Sequence, residues 1–87
     1  MITGRQIRAA RGFLAWDRRD LANKAVVTLY TIERLETGTE RSGAGTKKAL
    51  TAVKATLEAE GIEFTDGAGV HGVLLHLKKG KARAKRK

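Results

Sequence analysis

The apolar positions between residues 1 and 60 recur at the three- and four-residue spacing of amphipathic helices. This spacing predicts four helices, and the third and fourth are followed by glycines that favour the left-handed backbone of a helix end. In the first helix, Phe13 is expected to lie beside the core-facing stripe. The segment Gly38–Gly45 is predicted to be a loop. The predicted helices run over Gly4–Leu14, from after Asp17 to about Lys24, over Leu29–Thr37, and from Thr46 or Lys47 to Glu60.

Three positions carry the residue types that cap a helix N-terminus. A Thr or Asp side chain there accepts a hydrogen bond from a backbone N–H three residues later, and a polar side chain at that later position returns one. A hydrophobic residue just before each cap is spaced to pair with another one turn into the helix, as in a hydrophobic staple. The caps are Thr3 (closed by Gln6), Asp17 (closed by Asp20) and Thr28, and the staples join Ile2 to Ile7, Trp16 to Leu21 and Val27 to Ile32.

The second and third predicted helices are separated by only about three residues. Two helices so close in sequence must cross steeply, and the small side chain of Ala22 lets them approach. This arrangement predicts a helix-turn-helix. A helix presented by its N-terminal end is the geometry that enters a DNA major groove. The side chains that the second of these helices offers away from the core are Thr28, Leu29, Tyr30, Glu33 and Arg34.

The pattern changes from helical to β-rich after residue 61. Ile62 and Phe64 are followed by a glycine-rich turn at Asp66–Gly69 and then by the β-rich run Val70–Leu77. One or two short strands are predicted, paired either within one chain or between two. An exposed edge strand would pair with the same strand of a second copy and give a two-fold homodimer.

The chain has 87 residues, a size that predicts one compact unit with added segments. We divide it into a helix-turn-helix domain (1–61), a strand or hairpin extension that is a candidate dimerisation element (62–77) and a basic tail (78–87). The tail holds seven of the 18 basic residues and no acid, so residues 1–77 carry 11 basic and nine acidic residues, a net charge of +2 out of +9. The tail is expected to be disordered and to lie along phosphates in a salt-dependent way; the alternative is a solubilising tail.

Other classes of protein find little support in the sequence. There is no cysteine, and no apolar run approaches the 18 residues of a membrane span or forms a signal peptide, so a cytoplasmic protein is expected. His71 and His76 would point to opposite faces of a strand and could not share a metal ion. The glycines of residues 67–69 lack the lysine and helix of a phosphate-binding loop. We expect no enzyme, cofactor or metal.

The segment RAARGFLAWDRRDLANKAVVTLYTIERLETG resembles the Xre family of phage-repressor-like helix-turn-helix regulators, especially its short bacterial members with an extra C-terminal segment. The resemblance covers Thr3 to about Gly38, and the fourth helix followed by GIEFTDGAGV is similar to the ending of those members. It implies a mainly α fold, a four-helix lambda-repressor-like domain, here followed by a short C-terminal strand or hairpin and the basic tail.

The resemblance also implies roles for individual residues. Arg11 and Glu36 match a family pair that forms a partly buried structural salt bridge. Arg18 stands where the family commonly has a glutamine that touches the DNA backbone, and its fork of donors suits phosphate. The base-facing positions are Thr28, Leu29, Tyr30 and Arg34, and the further backbone contacts are Lys24, Thr37 and Arg41.

One position departs from the family pattern in the turn between the second and third helices. The family usually has glycine where this chain has Val26. If the turn requires a positive φ, a β-branched residue costs about 1 to 2 kcal/mol there. The turn is therefore expected to be remodelled.

Two functions are consistent with this sequence. The first is a sequence-specific DNA-binding transcriptional regulator, a homodimer with two recognition helices about 34 Å apart on a pseudo-palindromic operator. Arg34 is then the residue suited to bidentate contact with guanine. The alternative is a protein-binding module on the same fold, such as an antiactivator, an antitoxin-like partner or an adaptor. In such a module, exposed Leu29 and Tyr30 would bind a regulatory protein. The alternative for Leu29 is that it packs against the second helix.

Overall fold

The computed structural model describes residues 2–38, 44–67 and 69–77, and within these ranges the chain forms four helices followed by a two-stranded antiparallel hairpin. This confirms the mainly helical organisation with a C-terminal hairpin. Arg41 and the basic tail lie outside the described residues. The elements are α1 (Gly4–Leu14), α2 (Arg18–Ala25), α3 (Leu29–Thr37), α4 (Ala44–Ala59), β1 (Ile62–Gly67) and β2 (Val70–Leu75).

The predicted N-caps are confirmed at α1, α2 and α3. At α1, Thr3 Oγ1 accepts the Gln6 N–H at 3.2 Å, and Gln6 Oε1 accepts the Thr3 N–H at 2.8 Å. Asp17 and Asp20 form the same reciprocal pair at α2, at 2.8 and 3.0 Å. These bonds satisfy backbone donors that have no partner inside the helix, and so they fix where each helix begins.

Two local predictions are wrong. α4 begins at Ala44 rather than at residue 46 or 47, because a glycine costs little in the first turn, where backbone N–H groups have no intrahelical partner anyway; Gly45 is therefore helical. Phe13 is 52% exposed instead of lying beside the core. It borders an open groove lined by residues of α1, the end of α3 and β2.

The core lies where the apolar faces of the four helices meet the start of the hairpin. Ala22, only 3% exposed, keeps the contact face of α2 small, so that α2 can approach its neighbours closely. Trp16 and Val27, the residues before two of the caps, pack against this core as the staple pattern predicts. The largest fully buried side chains are Ile7, Leu21, Ile32, Val53 and Leu57.

The start of α1 lies against the end of α3 at van der Waals distance. A Cβ atom placed on Gly4 would lie 2.4 Å from the carbonyl oxygen of Glu36 and 2.6 Å from that of Leu35. Both obstacles are backbone atoms, so they cannot move without shifting α3. The absence of a side chain at Gly4 therefore sets the distance between these two helices.

The strands β1 and β2 pair with each other within one chain, in a register that runs from Ile62 opposite Leu75 to Gly67 opposite Val70. The buried side chain of Gln6 joins this hairpin to α1. Its Nε2 donates to the backbone carbonyl of Thr65 at 3.1 Å and to that of Gly72 at 2.9 Å. Gln6 therefore caps its own helix and holds the hairpin, and the sequence pattern predicted only the first of these roles.

The turn between α2 and α3 keeps a left-handed residue at Val26, with φ 58° and ψ 49°. The expected remodelling does not occur. The Val26 N–H bonds to the carbonyls of Ala22 and Asn23, so the residue closes α2 in the way that glycine usually does. Its side chain is 87% exposed and gains little from packing. Packing of the Val26 side chain therefore does not offset the backbone strain of a β-branched residue at this position.

We expect the substitution Val26→Gly to raise the free energy of unfolding by about 0.5 to 1 kcal/mol, because relief of the left-handed strain exceeds the added chain entropy of glycine. Urea unfolding of both proteins measures this change. The matched control is Val70→Gly, an exposed valine in β2 without a positive φ, which should lower stability. A loss of stability in Val26→Gly equal to that in Val70→Gly would contradict the account of the turn.

Candidate nucleic-acid interface

The N-terminal turn of α3 is fixed by its cap and by the hydrophobic residue before it. Thr28 has an extended backbone, its Oγ1 accepts the Thr31 N–H at 3.1 Å, and the two hydroxyl oxygens lie 2.9 Å apart. Val27 packs against the core into which Ile32 is fully buried. Because these contacts hold the inner side of the turn, Thr28 and the first residues of α3 border solvent.

The four predicted base-facing residues differ in exposure. Thr28 and Tyr30 are exposed, whereas Leu29 and Arg34 are half-buried. Leu29 forms part of the wall of a shallow groove of about 410 Å³ at the starts of α2 and α3. Within α3 itself, the exposed apolar surface at this end therefore belongs mainly to Tyr30, which is 64% exposed, and Val26 in the preceding turn adds to it. The side chains that line the groove are Arg11, Asp17, Arg18, Arg19, Leu29 and Glu33.

Tyr30 and Arg34 form one unit, one helical turn apart on α3. Arg34 Nη1 donates to the Tyr30 hydroxyl oxygen at 2.8 Å, and the guanidinium carbon lies 5.3 Å from the centre of the tyrosine ring. The hydrogen bond and the cation–π contact restrict the arginine more than either would alone. The sequence identified both residues but not their pairing.

Three of the predicted backbone-binding residues already have partners in the protein: Lys24, Thr37 and Arg18, whose Nε bonds to Glu36. The ammonium group of Lys24 lies 5.4 Å from the centre of the Trp16 ring, a cation–π contact at the surface. The hydroxyl of Thr37 donates to the Glu33 carbonyl oxygen at 2.9 Å. Its oxygen also lies 3.3 Å from the carbonyl oxygen of Arg34. A phosphate contact through the Thr37 proton would require this hydroxyl to rotate, whereas the cation–π contact of the exposed Lys24 uses none of its three N–H donors as a hydrogen bond.

The carboxylate of Glu36 binds two arginines. Arg11 donates from Nε and Nη2 at 2.6 and 2.9 Å, and Arg18 donates from Nε at 3.1 Å. The Glu36 side chain is only 1% exposed, so these bonds replace its hydration. The hydrogen bond to Glu36 is the main reason that the pKa of Arg11 is raised above its usual value, against the opposing effect of burial. The pair implied by the resemblance is therefore present, with Arg18 as an additional member.

Acidic residues also border this surface. Asp17 and Asp20 are tied to each other's backbone at the start of α2, and the carboxylate of Glu33 is exposed on α3. A carboxylate beside a phosphate is repelled, but it accepts a hydrogen bond from the exocyclic amine of cytosine. The charge of Glu33 would therefore suit a base edge better than the sugar–phosphate backbone of a nucleic acid.

The two histidines lie in the hairpin region, away from α3. His71 Nδ1 lies 3.0 Å from Asp66 Oδ1, and His76 Nε2 lies 2.5 Å from Glu63 Oε1. Among the residues that the structure describes, no group of three or more His, Asp or Glu side chains is arranged to hold a metal ion.

In the same part of the chain, no helix has both the length and the apolar composition to cross a membrane. No protein-family model matches the chain, and no curated protein matches it.

Proposed function

We propose that the protein is a sequence-specific DNA-binding transcriptional regulator of the helix-turn-helix type, in which α3 is the recognition helix. The observation that carries this proposal is the capped N-terminal turn of α3, which presents Thr28 and Tyr30 beside the arginine at the start of α2, with Arg34 bonded to Tyr30 one turn further along α3. A helix presented by its N-terminal turn fits the major groove, and donors on the preceding helix reach the adjacent phosphates.

The Tyr30 and Arg34 pair supplies the base contact in this proposal. With Nη1 bonded to the Tyr30 hydroxyl, the guanidinium is held on the surface of α3 before DNA arrives. Less side-chain entropy is then lost on binding, and the planar donor fork matches the O6 and N7 acceptors of guanine. Thr28 and Glu33 would add contacts to neighbouring bases, and the sequence-based assignment of Arg41 and the basic tail to phosphates complements them.

A homodimer accounts for recognition of a pseudo-palindromic operator, and the hairpin supplies a surface for it. Val70 is 64% exposed and Leu74 49% exposed in β2, and Leu77, two residues after the strand, is 80% exposed. Val70 and Leu74 lie four positions apart on β2, and because side chains alternate along a strand, they share a face of the hairpin. Burial of this face against a second copy would remove exposed apolar area and place two α3 helices on one duplex.

The experiment that tests the proposal is selection of bound duplexes from a random DNA pool, followed by affinity measurements on the enriched site. We expect Arg34→Ala to weaken binding to that site by about 1 to 3 kcal/mol and to relax the preference at one base step, because the bidentate contact is lost. Affinities for a panel of single-base variants of the site measure both effects. An equal loss on every sequence would contradict the role of Arg34.

Two controls separate base contacts from general attraction to DNA. Arg8→Ala removes the same charge from an exposed position on α1 and should leave the base preference unchanged. Truncation after residue 77 should weaken binding to all duplexes equally and reduce its salt dependence. If wild-type protein shows no preference over random competitor and instead co-purifies with a regulatory protein, the protein-binding alternative replaces this proposal.

A further inference from the structure

Arg11 and Arg18 share one carboxylate but use it differently. All three nitrogens of Arg11 are bonded: Nε and Nη2 to Glu36, and Nη1 to the Trp16 carbonyl oxygen at 3.0 Å. Arg18 uses only its Nε, at 3.1 Å from Glu36 Oε1. Within the described part of the chain, neither Nη group of Arg18 has a hydrogen-bond partner. Every nitrogen of the Arg11 guanidinium therefore has a partner, whereas Arg18 retains both Nη groups.

The side chain that carries the retained fork is partly exposed. The Arg18 side chain is 37% exposed, compared with 15% for Arg11 and 1% for Glu36. Arg18 also lines the shallow groove that Leu29 borders at the start of α3. Its Nε is thus anchored to a buried group while its side chain lies at the edge of the candidate interface.

The charges of this cluster are not balanced. Two guanidinium groups face one carboxylate, which leaves one excess positive charge. Two other carboxylates line the groove, but neither bonds to Arg18: Asp17 keeps its charge, is hydrogen-bonded in its capping box and acts electrostatically on Arg11, and Glu33 makes no ion pair with Arg18. An external anion can therefore complete the cluster. A phosphate diester has the charge and the paired oxygens that a guanidinium fork binds.

We propose that Glu36, besides closing the structural pair with Arg11, is a positioning residue that holds Arg18 by its Nε so that the two Nη groups bind a DNA phosphate. The inference rests on the proposed function, since it specifies how one backbone contact is made. It assigns Glu36 a role in binding although its own side chain is buried. It also requires a guanidinium at position 18, because a lysine has all its donors on one nitrogen and cannot bind Glu36 with one nitrogen and phosphate with two others.

The test compares three substitutions in the full chain, with binding to a random-sequence duplex measured at several salt concentrations. Arg18→Gln should weaken binding roughly tenfold, the factor of about one charge-assisted hydrogen bond, and should lower the slope of log affinity against log salt by about 1. Arg18→Lys should keep most of the slope and still bind several-fold more weakly. Arg19→Gln, at the neighbouring exposed arginine, should change the affinity less than Arg18→Gln does.

The outcomes distinguish this inference from the regulator proposal. If wild-type protein binds duplex DNA but Arg18→Lys equals it, charge alone suffices and the positioning role is wrong. Equal effects of Arg18→Gln and Arg19→Gln would also refute it. If no duplex binds at low salt, the regulator proposal fails. The Nε–H resonance of Arg18 in the free protein then still tests the bond to Glu36, since a bonded Nε–H is protected from exchange with water and an unbonded one is not.

Discussion

Replacement of Gly4 by alanine is expected to lower the free energy of unfolding by about 2 to 3 kcal/mol, in the upper part of the range for steric overpacking. The added methyl group would lie 2.4 to 2.7 Å from three backbone atoms of α3. Such atoms cannot rotate aside, so α1 and α3 must separate. For a protein of this size, that loss corresponds to a fall of about 10 to 20 °C in Tm. Thermal and urea unfolding followed by circular dichroism measure it.

The control for this substitution lies on the same helix. A Cβ atom on Gly12 would meet nothing within 4 Å, so Gly12→Ala should stabilise the protein by about 0.5 to 1 kcal/mol through helix propensity alone. The same substitution is thus expected to lower the free energy of unfolding at one position of α1 and to raise it at the other. Stabilisation at both positions would show that α1 and α3 are not in close contact at Gly4.

The substitution Glu36→Gln is expected to destabilise the protein by about 3 kcal/mol, the lower end of the range for removal of one partner from a buried ion pair. The carboxylate is 1% exposed and accepts bonds from both Arg11 and Arg18. A neutral amide leaves the two guanidinium groups without a counter-charge and turns one acceptor into a donor. Partial exposure of the arginines keeps the cost from being larger. The midpoint of urea unfolding measures the change.

The appropriate comparison is an exposed ion pair. Lys54 and Glu58 lie one turn apart on α4, with 3.9 Å between Nζ and Oε2 and both side chains 48% exposed. Glu58→Gln should therefore cost no more than about 0.5 kcal/mol. If Glu36→Gln and Glu58→Gln have the same small effect, burial of the Glu36 carboxylate does not contribute to stability in the way described here.

The local features of the fold were predictable from the sequence because they depend on residues only a few positions apart. The caps at Thr3, Asp17 and Thr28 each involve a partner three residues away, and the structure contains all three. The bounds of α1 and α3 also agree with the apolar spacing. By contrast, the sequence pattern predicts too late a start for α4, because a glycine in the first helical turn does not mark the helix boundary.

The features that were missed depend on contacts between distant residues. Gln6 bonds to carbonyls 59 and 66 residues away, and Arg18 meets Glu36 across 18 residues. Neither contact has a periodic pattern. In the candidate interface, residue types and spacing identified Tyr30 and Arg34, but the hydrogen bond between them depends on side-chain rotamers. Val26 shows a different limit, because the fold tolerates a strained residue that local preference disfavours.

The central claim is that the N-terminal turn of α3 meets duplex DNA, and amide chemical-shift mapping tests it most directly. The full chain, labelled with ¹⁵N, is titrated with the duplex enriched from a random pool. We expect the largest shifts at residues 28–34, with further changes at the start of α2 around Arg18. Shifts confined to the hairpin at residues 62–77, or no shift with any duplex at low salt, would contradict it.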